Sequence, residues 1–265
     1  MPSRSQTAPR ALLCLALTCA VLPACQRSAA AEPIEWREPA PGLAYAEVPL
    51  RTQPLSQPIA VHLLRLDPQR WQLRVVPASL TGRPLADAAA FRRALPGAVL
   101  AINGGYFDEN YRPLGLLVDR GRTLSPLRHV DHGVFAVAAG KASLVHARDW
   151  QSPPDLDFAV ECGPRLIVDG KPLSFKENIA RRTALGIDRH GNVVVVATAD
   201  VLTLQALAQF LARSEAAGGP GLLYALNLDG GPSTMLDVER GAVHAAVRAP
   251  TQVPIGLAVV ERPAP

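Results

Sequence analysis

The chain has 265 residues, of which 48% are hydrophobic and 19% are charged, and this is enough to bury a core in one domain or at most two. Its formal charge of +4 arises from 27 Lys and Arg against 23 Asp and Glu, and no basic run stands out. This charge distribution argues against a nucleic-acid partner.

The first 24 residues have the pattern of an export signal and are set apart from fold prediction. Arg4 and Arg10 make a basic beginning, and the apolar stretch at 11–22 is too short to span a bilayer. It ends in Leu-Pro-Ala-Cys25, which resembles a bacterial lipobox, where the cysteine is lipidated. Secretory cleavage nearby without lipidation is the alternative. Gln26 resembles an outer-membrane sorting residue, so we expect an exported, lipid-anchored protein on the outer membrane that faces the periplasm.

The remaining chain divides into a short tether and one domain. Residues 25–44 begin with the lipidated cysteine and are rich in Ala, Pro and Glu, which predicts a tether. Residues 45–265 show no repeat and no second linker, which predicts a single domain. Cys162 is the one cysteine of that domain, so the domain has no internal disulfide, and a thiol nucleophile is one option for its chemistry.

Strand patterns dominate the predicted domain, and hairpin turns separate many of them. Helices are predicted at 85–95 and from a Thr203 cap to about 217. Because these elements do not alternate as βαβα, we predict an α+β fold with a mixed, mostly antiparallel sheet core and a few helices. The predicted strands are 59–66, 71–76, 99–102, 114–118 and the strand after the turn at 119–121, 133–138, 142–145, 165–168, 183–187, 193–198, 222–228, 235–238, 242–246 and 255–260.

Two apolar strands end on a polar residue that is followed by Gly-Gly. The segment Asn-Gly-Gly-Tyr-Phe at 103–107 follows the first, and Asp-Gly-Gly-Pro-Ser-Thr at 229–234 follows the second. Glycines permit positive φ and a close ligand approach, and successive N–H groups can face an anion. One such segment alone is typical of a turn. Two of them, each after a buried strand, predict a shared cleft.

Four segments in this order resemble the phosphodiester glycosidase family. They are residues 103–107, Cys-Gly-Pro-Arg-Leu-Ile-Val-Asp-Gly at 162–170, Arg-Thr-Ala-Leu-Gly-Ile-Asp at 182–188 and Asn-Leu-Asp-Gly-Gly-Pro-Ser-Thr at 227–234. The resemblance covers about residues 59–260. It implies hydrolysis of the C1–O bond of a sugar-1-phosphodiester, with release of the sugar and a phosphomonoester. An envelope glycan is a candidate source of that substrate, and no cofactor is implied.

The same resemblance implies roles for individual residues. Arg182 is expected to bind the phosphate, because a guanidinium matches its oxygens in a bidentate way. Asp229 is expected to activate water or to stabilise the oxocarbenium-like sugar, and Glu161 is the leading second carboxylate. The expected substrate-binding residues are Asn103, Gly104, Gly105, Tyr106, Arg165, Thr183, Gly230, Gly231, Ser233 and Thr234.

Several alternatives remain open at this level. The chain is also compatible with a phosphodiesterase that cuts the P–O bond, or with a non-catalytic lipoprotein that binds envelope glycan. Cys162 is interpreted as a small core residue, because the family's chemistry needs no thiol. His129, Asp131 and His132 lie together, but their spacing matches no zinc signature, so we predict no metal site.

Overall fold

Antiparallel strands make up most of the chain that a computed structural model describes, which is residues 32–52, 55 and 57–263. In chain order the strands and α-helices of the described residues are β1 (Arg37–Ala40), β2 (Leu43–Leu50), β3 (Ile59–Leu66), β4 (Trp71–Pro77), α1 (Ala88–Ala94), β5 (Ala98–Asn103), β6 (Leu117–Asp119), β7 (Arg122–Ser125), β8 (Gly133–Ala138), β9 (Lys141–His146), β10 (Leu156–Cys162), β11 (Arg165–Val168), β12 (Lys171–Pro172), β13 (Ile179–Ala180), β14 (Thr183–Asp188), β15 (Val193–Thr198), β16 (Leu202–Thr203), α2 (Leu204–Ala212), β17 (Leu222–Asn227), β18 (Leu236–Arg240), β19 (Val243–Val247) and β20 (Ile255–Glu261).

The strands form one large sheet and three smaller ones. The large sheet has eight strands in the order β1-β2-β3-β15-β14-β17-β11-β12. Two five-stranded sheets have the orders β7-β6-β10-β8-β9 and β19-β18-β5-β20-β4, and β13 pairs with β16. All the strand pairs of the described chain are antiparallel. The α+β prediction is confirmed, with sheets predominating over the helices.

One apolar core draws residues from the eight-stranded sheet and from both five-stranded sheets. The large sheet packs one face against this central core and the other against a second cluster. The side chains of β15 show this, because successive residues of a strand point to opposite faces. Val193 and Val195 belong to this central core, whereas Val194 and Val196 belong to the second cluster, formed with α2. The helix α1 packs in a third cluster, where Phe91 lies so close to Gly256 of β20 that a Cβ there would be 2.4 Å from its ring.

Both helices are shorter than predicted, and local hydrogen bonds explain the difference. The predicted helix at 85–95 begins at Ala88, because the Asp87 side chain caps it by accepting from the Ala90 N–H at 2.7 Å. Thr203 caps α2 as predicted. The helix ends at Ala212 rather than near 217, because Arg213 adopts extended backbone angles, and a separate 3-10 turn follows at Glu215–Ala217.

The sheets also include strands that the sequence patterns do not reveal. β1 and β2 occupy Arg37–Ala40 and Leu43–Leu50, so the large sheet starts within the predicted tether and before the predicted boundary at 45. β10 was not predicted, although it forms the centre of a five-stranded sheet. The predicted signal segment, Cys25 and the first residues of the tether lie outside the described residues. In the described part of the chain, no helix has the length and apolar character needed to cross a membrane.

An ion pair joins the two five-stranded sheets. Arg74 of β4 donates two hydrogen bonds to the carboxylate of Asp119 in β6, at 2.8 and 2.9 Å, and Asp119 also accepts from the Val75 N–H at 2.9 Å. Both side chains are 13% exposed. Loss of one partner would therefore leave a largely buried charge without compensation.

We expect Asp119→Ala to lower the free energy of unfolding by roughly 3 kcal/mol, because Arg74 would stay buried and unpaired. Urea denaturation of the wild type and the variant measures this difference. The matched control is Glu261→Ala, which breaks a solvent-exposed contact with Arg240 at 3.7 Å and should cost less than about 1 kcal/mol. Equal effects of the two substitutions would contradict the role given to Asp119.

Candidate active site

The two Gly-Gly corners predicted from the sequence lie side by side. Asn103 ends β5, and its Nδ2 donates a hydrogen bond to the carbonyl oxygen of Asp229, 2.7 Å away and just beyond the end of β17. Thr183, the first residue of β14, donates from Oγ1 to Asn103 Oδ1 at 2.8 Å. Strand ends from two different sheets therefore meet at one point.

The Asn103 amide is fully used inside the protein. Its side chain has no exposed surface, Nδ2 also donates to the Gly104 carbonyl at 3.1 Å, and Oδ1 also accepts from the Met235 N–H at 3.2 Å. Thr183 is likewise inaccessible. Contact of Asn103 and Thr183 with a substrate stays a prediction, because both side chains are buried and bonded within the protein here. These two side chains hold the corners in place.

The glycines of the first corner are required for close packing rather than for an unusual backbone. Neither Gly104 nor Gly105 has positive φ. A Cβ on Gly104 would lie 2.9 Å from the Ile255 side chain, and one on Gly105 would lie 3.3 Å from the carbonyl oxygen of Glu161. The expectation of positive φ holds at Gly231 in the second corner, where φ is 59°.

The anion cradle predicted at Gly230 and Gly231 stays a prediction, since both N–H groups have partners within the protein. The N–H of Gly230 donates to the carboxylate of Asp229 at 3.0 Å, and the N–H of Gly231 donates to the carbonyl oxygen of Arg181 at 2.8 Å. Both donors are thus occupied within the protein. What the corner offers to a ligand is the Asp229 side chain, which these bonds orient.

Burial raises the pKa of the Asp229 carboxyl, while hydrogen bonds from the Ser233 hydroxyl and the Gly230 N–H act in the opposite direction. Ser233 is itself buried, so its hydroxyl serves the carboxylate rather than an external ligand. Thr234 is inaccessible, and its Oγ1 has no hydrogen-bond partner among the described residues. Contact of either hydroxyl with a substrate stays a prediction.

Arg182 is a buried cation whose partners are neutral. Its side chain is buried, Nε donates to the Leu202 carbonyl at 3.3 Å, and Nη2 donates to the Asn178 carbonyl. Within the described chain, no carboxylate lies within 4.0 Å of its guanidinium. Burial accordingly lowers the pKa of Arg182. The Arg182 side chain also lies alongside Gly230, where a Cβ would be 4.0 Å from its Cδ.

Tyr106 connects the first corner to the segment around Gly163. Its hydroxyl donates to the Gly163 carbonyl at 2.6 Å. Burial raises the pKa of Tyr106, and the negative charge of Asp229 raises it further, whereas the hydrogen bond with Asn227 and the positive charge of Arg182 lower it. Because these groups act on one phenol, Tyr106, Asp229 and Arg182 share one electrostatic environment.

Glu161, predicted as the second carboxylate, anchors two loops. Its side chain has no exposed surface, and Oε2 accepts from the N–H groups of Leu116 and Arg128, both at 2.8 Å. These two residues flank the β6-β7 hairpin on either side. The other oxygen, Oε1, has no hydrogen-bond partner in the described residues and lies 3.7 Å from His132 Nδ1. Direct contact of Glu161 with a substrate stays a prediction, and in this structure the side chain anchors backbone N–H groups.

Cys162 and Arg165 have different surroundings although only two residues lie between them. Cys162 is inaccessible, and burial raises its pKa to about 12, so the thiol stays protonated and fits the predicted core role. Arg165 is half-buried, with its side chain over Gly133, and has no hydrogen-bond or ion-pair partner in the described chain. It therefore remains a candidate for contact with an anion.

One residue of the site, Asn227, has no predicted role, and another, His132, is considered in the sequence only as a metal ligand. Asn227 ends β17 as Asn103 ends β5, and its Nδ2 donates to the Gly163 carbonyl at 2.9 Å. The shared pattern of a strand that ends on Asn is the signal that would have found it. His132 contacts both Tyr106 and Glu161, and its position just before a strand gave no such signal.

No cluster suited to a metal ion occurs in the described residues, and Asp131 pairs with His146 at 2.9 Å.

We expect Asn103→Ala to lower the free energy of unfolding by roughly 3 kcal/mol, because it removes the partners of several buried polar groups. Chemical denaturation measures the loss. Asn110→Ala, in an exposed loop of the same segment, is the control and should change stability by less than about 0.5 kcal/mol. If Asn103→Ala is as mild as its control, the amide does not hold the corners together.

Comparisons with known proteins indicate the family. The profile of the phosphodiester glycosidase family matches residues 96–263. The uncharacterized protein YigE of Escherichia coli strain K12 is 34% identical over 109 residues, which cover 36% of this chain and 42% of YigE. The chain thus spans less than half of that relative.

Solved structures share the fold. The catalytic domain of zebrafish N-acetylglucosamine-1-phosphodiester alpha-N-acetylglucosaminidase, auto-inhibited by its pro-peptide, matches over 87% of both chains with a TM-score of 0.63 and 15% identity. A hypothetical protein from Synechocystis matches over 88% of this chain and 64% of its own, with a TM-score of 0.57 and 17% identity. At these identities the likeness is one of fold alone. Because the family profile covers well over half of the sequence, this chain belongs to the phosphodiester glycosidase family.

Proposed function

We propose that this protein hydrolyses the C1–O bond of a sugar-1-phosphodiester and releases the free sugar and a phosphomonoester. The observation that carries this proposal is Arg182, a buried arginine without a carboxylate partner in the described chain, beside the corner that holds Asp229. Family membership supports glycosidase chemistry. The name of the zebrafish relative gives an N-acetylglucosamine-1-phosphodiester as the substrate class of that protein.

Arg182 supplies the positive charge that the phosphate needs. A buried guanidinium bound only to carbonyl oxygens keeps an uncompensated charge, and an anionic ligand relieves that cost. The planar fork of the guanidinium binds two phosphate oxygens at once. As the C1–O bond breaks, negative charge grows on the departing phosphate, so this contact strengthens in the transition state.

Asp229 supplies the negative charge at the sugar. Its carboxylate is oriented by Gly230 N–H and Ser233, and its partial burial makes the charge act more strongly than it would in water. Stabilisation of an oxocarbenium-like C1 and acceptance of a proton from water both require the ionised form. The raised pKa of Asp229 therefore predicts that activity falls on acidification at a higher pH than for an ordinary aspartate.

A second carboxylate is not needed for this reaction. Ordinary glycosidases use a carboxylic acid to protonate a poor leaving group. A phosphomonoester leaves readily without that proton. The anchored position of Glu161, with Oε2 occupied by two backbone N–H groups, is compatible with this division of roles.

We expect Asp229→Asn to lower kcat/KM by roughly two to four orders of magnitude, because it keeps the shape of the corner and removes the charge. Arg182→Lys should also be strongly impaired, since an ammonium cannot bind the phosphate as a planar fork. Release of sugar from the methyl ester of N-acetylglucosamine-1-phosphate, as the first of a panel of sugar-1-phosphodiesters, measures both effects.

Matched controls lie close by in the chain. Arg181→Lys changes the neighbouring arginine, whose side chain contacts the Arg248 carbonyl at the surface, and Asp200→Asn changes an exposed aspartate. Both should keep near wild-type rates. If folded Asp229→Asn matches Asp200→Asn in rate, Asp229 serves only as a turn residue and has no part in the mechanism.

The proposed location of the protein is the periplasmic side of the outer membrane, where a lipid on Cys25 anchors it. The support is the leader at 1–24 and the sequence Leu-Pro-Ala-Cys25, which lie outside the described residues. A substrate in the cell envelope, such as a glycan linked through phosphate, would be accessible at that location. The predicted tether after Cys25 would let the domain reach such a polymer.

We expect Cys25→Ser to abolish incorporation of radiolabelled palmitate and to release the protein from the membrane fraction of a Gram-negative host. Cys19→Ser, which changes another cysteine of the same segment, is the control and should leave labelling unchanged. Labelling that survives in Cys25→Ser would show that the protein is not a lipoprotein modified at this position.

A further inference from the structure

Two buried polar atoms without partners face each other beside the candidate active site. Oε1 of Glu161 and Nδ1 of His132 are 3.7 Å apart, and neither has a hydrogen-bond partner among the described residues. The Glu161 side chain has no exposed surface, whereas the His132 side chain is 24% exposed. A small movement of the ring brings these two atoms within hydrogen-bond distance.

The opposite edge of the His132 ring lies against the site. A Cβ built on Gly163 would be 2.7 Å from His132 Cδ2 and 3.4 Å from Nε2, so this edge rests on the Gly163 backbone. The Tyr106 ring is 5.8 Å from the His132 ring, and its hydroxyl donates to the Gly163 carbonyl. The imidazole thus lies between Glu161 and Tyr106. The charges of Asp229 and Arg182 act on the Tyr106 hydroxyl.

The surroundings of His132 select one tautomer. Glu161 Oε2 accepts both backbone N–H bonds, so Oε1 is the oxygen that faces Nδ1 and can accept a hydrogen bond from it. The proton of a neutral imidazole then sits on Nδ1, and Nε2 keeps its lone pair. Burial lowers the pKa of His132, and the positive charge of Arg128 lowers it further. Glu161 and Asp131 act in the opposite direction and raise it. The neutral form, which accepts protons, is therefore the form present near neutral pH.

We propose that His132 is the general base of the hydrolysis and that Glu161 is its positioning residue; this inference rests on the proposed function. Water attacks C1 while the C1–O bond to phosphate breaks, and the electron pair of that bond leaves with the phosphate oxygen. The proton of the water passes to Nε2, and Glu161 stabilises the imidazolium until solvent takes the proton. Asp229 then keeps the separate role of stabilising the positive charge at C1.

The first test reads the tautomer without any substrate. In ¹⁵N-labelled protein the His132 imidazole, assigned by its loss in His132→Gln, should show a protonated Nδ1 and an unprotonated Nε2 at neutral pH. Glu161→Gln should reverse this pattern, because its amide group can donate to Nδ1. Wild-type protein with the proton on Nε2 overturns the inference, whatever the activity shows.

The second test is kinetic. His132→Gln should lower kcat/KM by roughly two to four orders of magnitude and remove the acidic decline of kcat/KM due to the imidazole, leaving the one due to Asp229. Glu161→Gln should lower kcat/KM by at least about tenfold, because the wrong tautomer faces the water. His132→Asn replaces His132→Gln if the latter does not fold. The control is His146→Gln, which removes a histidine that is 14% exposed and also pairs with a carboxylate, that of Asp131, and it should leave the rate unchanged.

The outcomes separate the two proposals. If wild type and folded His132→Gln hydrolyse the substrate equally well, His132 is not the base, and the proposed function still stands. If Glu161→Gln keeps the wild-type rate and pH profile, Glu161 has no positioning role, and the inference is overturned in that part. If wild type hydrolyses no sugar-1-phosphodiester while phosphodiesters remain bound, the proposed function fails, and the inference about His132 fails with it.

Discussion

The side-chain amide of Asn103 is the interaction on which the arrangement of the site depends. It ends β5 and bonds to Thr183 of β14, to the Asp229 carbonyl after β17 and to the Met235 N–H before β18. β5 belongs to one sheet, while β14 and β17 belong to another. A primary amide suits this position because it carries two donors and an acceptor with two lone pairs in one plane. Once these bonds are made, the backbone before and after Asp229 has little freedom.

The two charges of the site follow from this fixed geometry. The Gly231 N–H donates to the Arg181 carbonyl, and Gly230 packs closely against the same carbonyl, which keeps the Asp229 corner against the start of β14. Arg182 is buried among carbonyl oxygens, and Asp229 is held by its own Gly230 N–H and by Ser233. In each case the described part of the chain places no opposite charge within ion-pair distance of the group. A molecule with phosphate at one end and a developing positive charge at the other would satisfy both.

The sequence predicts where the site lies better than what each residue does in it. Both corners, the hairpin of β14 and β15 and the buried strands before the corners follow from alternation and from turn residues. The roles of Asn103, Gly230 and Gly231 were assigned to ligand binding, because their donors look free until their partners are known. Those partners come from distant segments, such as Arg181 and Thr183. No local pattern shows that a buried group is already satisfied.

Other features were missed for the same physical reason. β10 carries acidic residues at both ends, so its central position depends on tertiary contacts, among them the two backbone bonds that hold Glu161. β1 precedes Pro41 and Gly42 in a stretch whose composition is typical of a linker, and its pairing with β2 decides its structure. His132 joins the site through packing on Gly163, a contact between segments that are separate in the chain.

The central claim is that the bond to the sugar carbon breaks while the phosphorus bond is left intact. Hydrolysis of the methyl ester of N-acetylglucosamine-1-phosphate in ¹⁸O-labelled water, followed by mass spectrometry of both products, tests it directly. Cleavage between C1 and oxygen predicts the label in the free sugar and an unlabelled methyl phosphate. Label in a phosphate product would show attack at phosphorus and would contradict the roles given to Arg182 and Asp229.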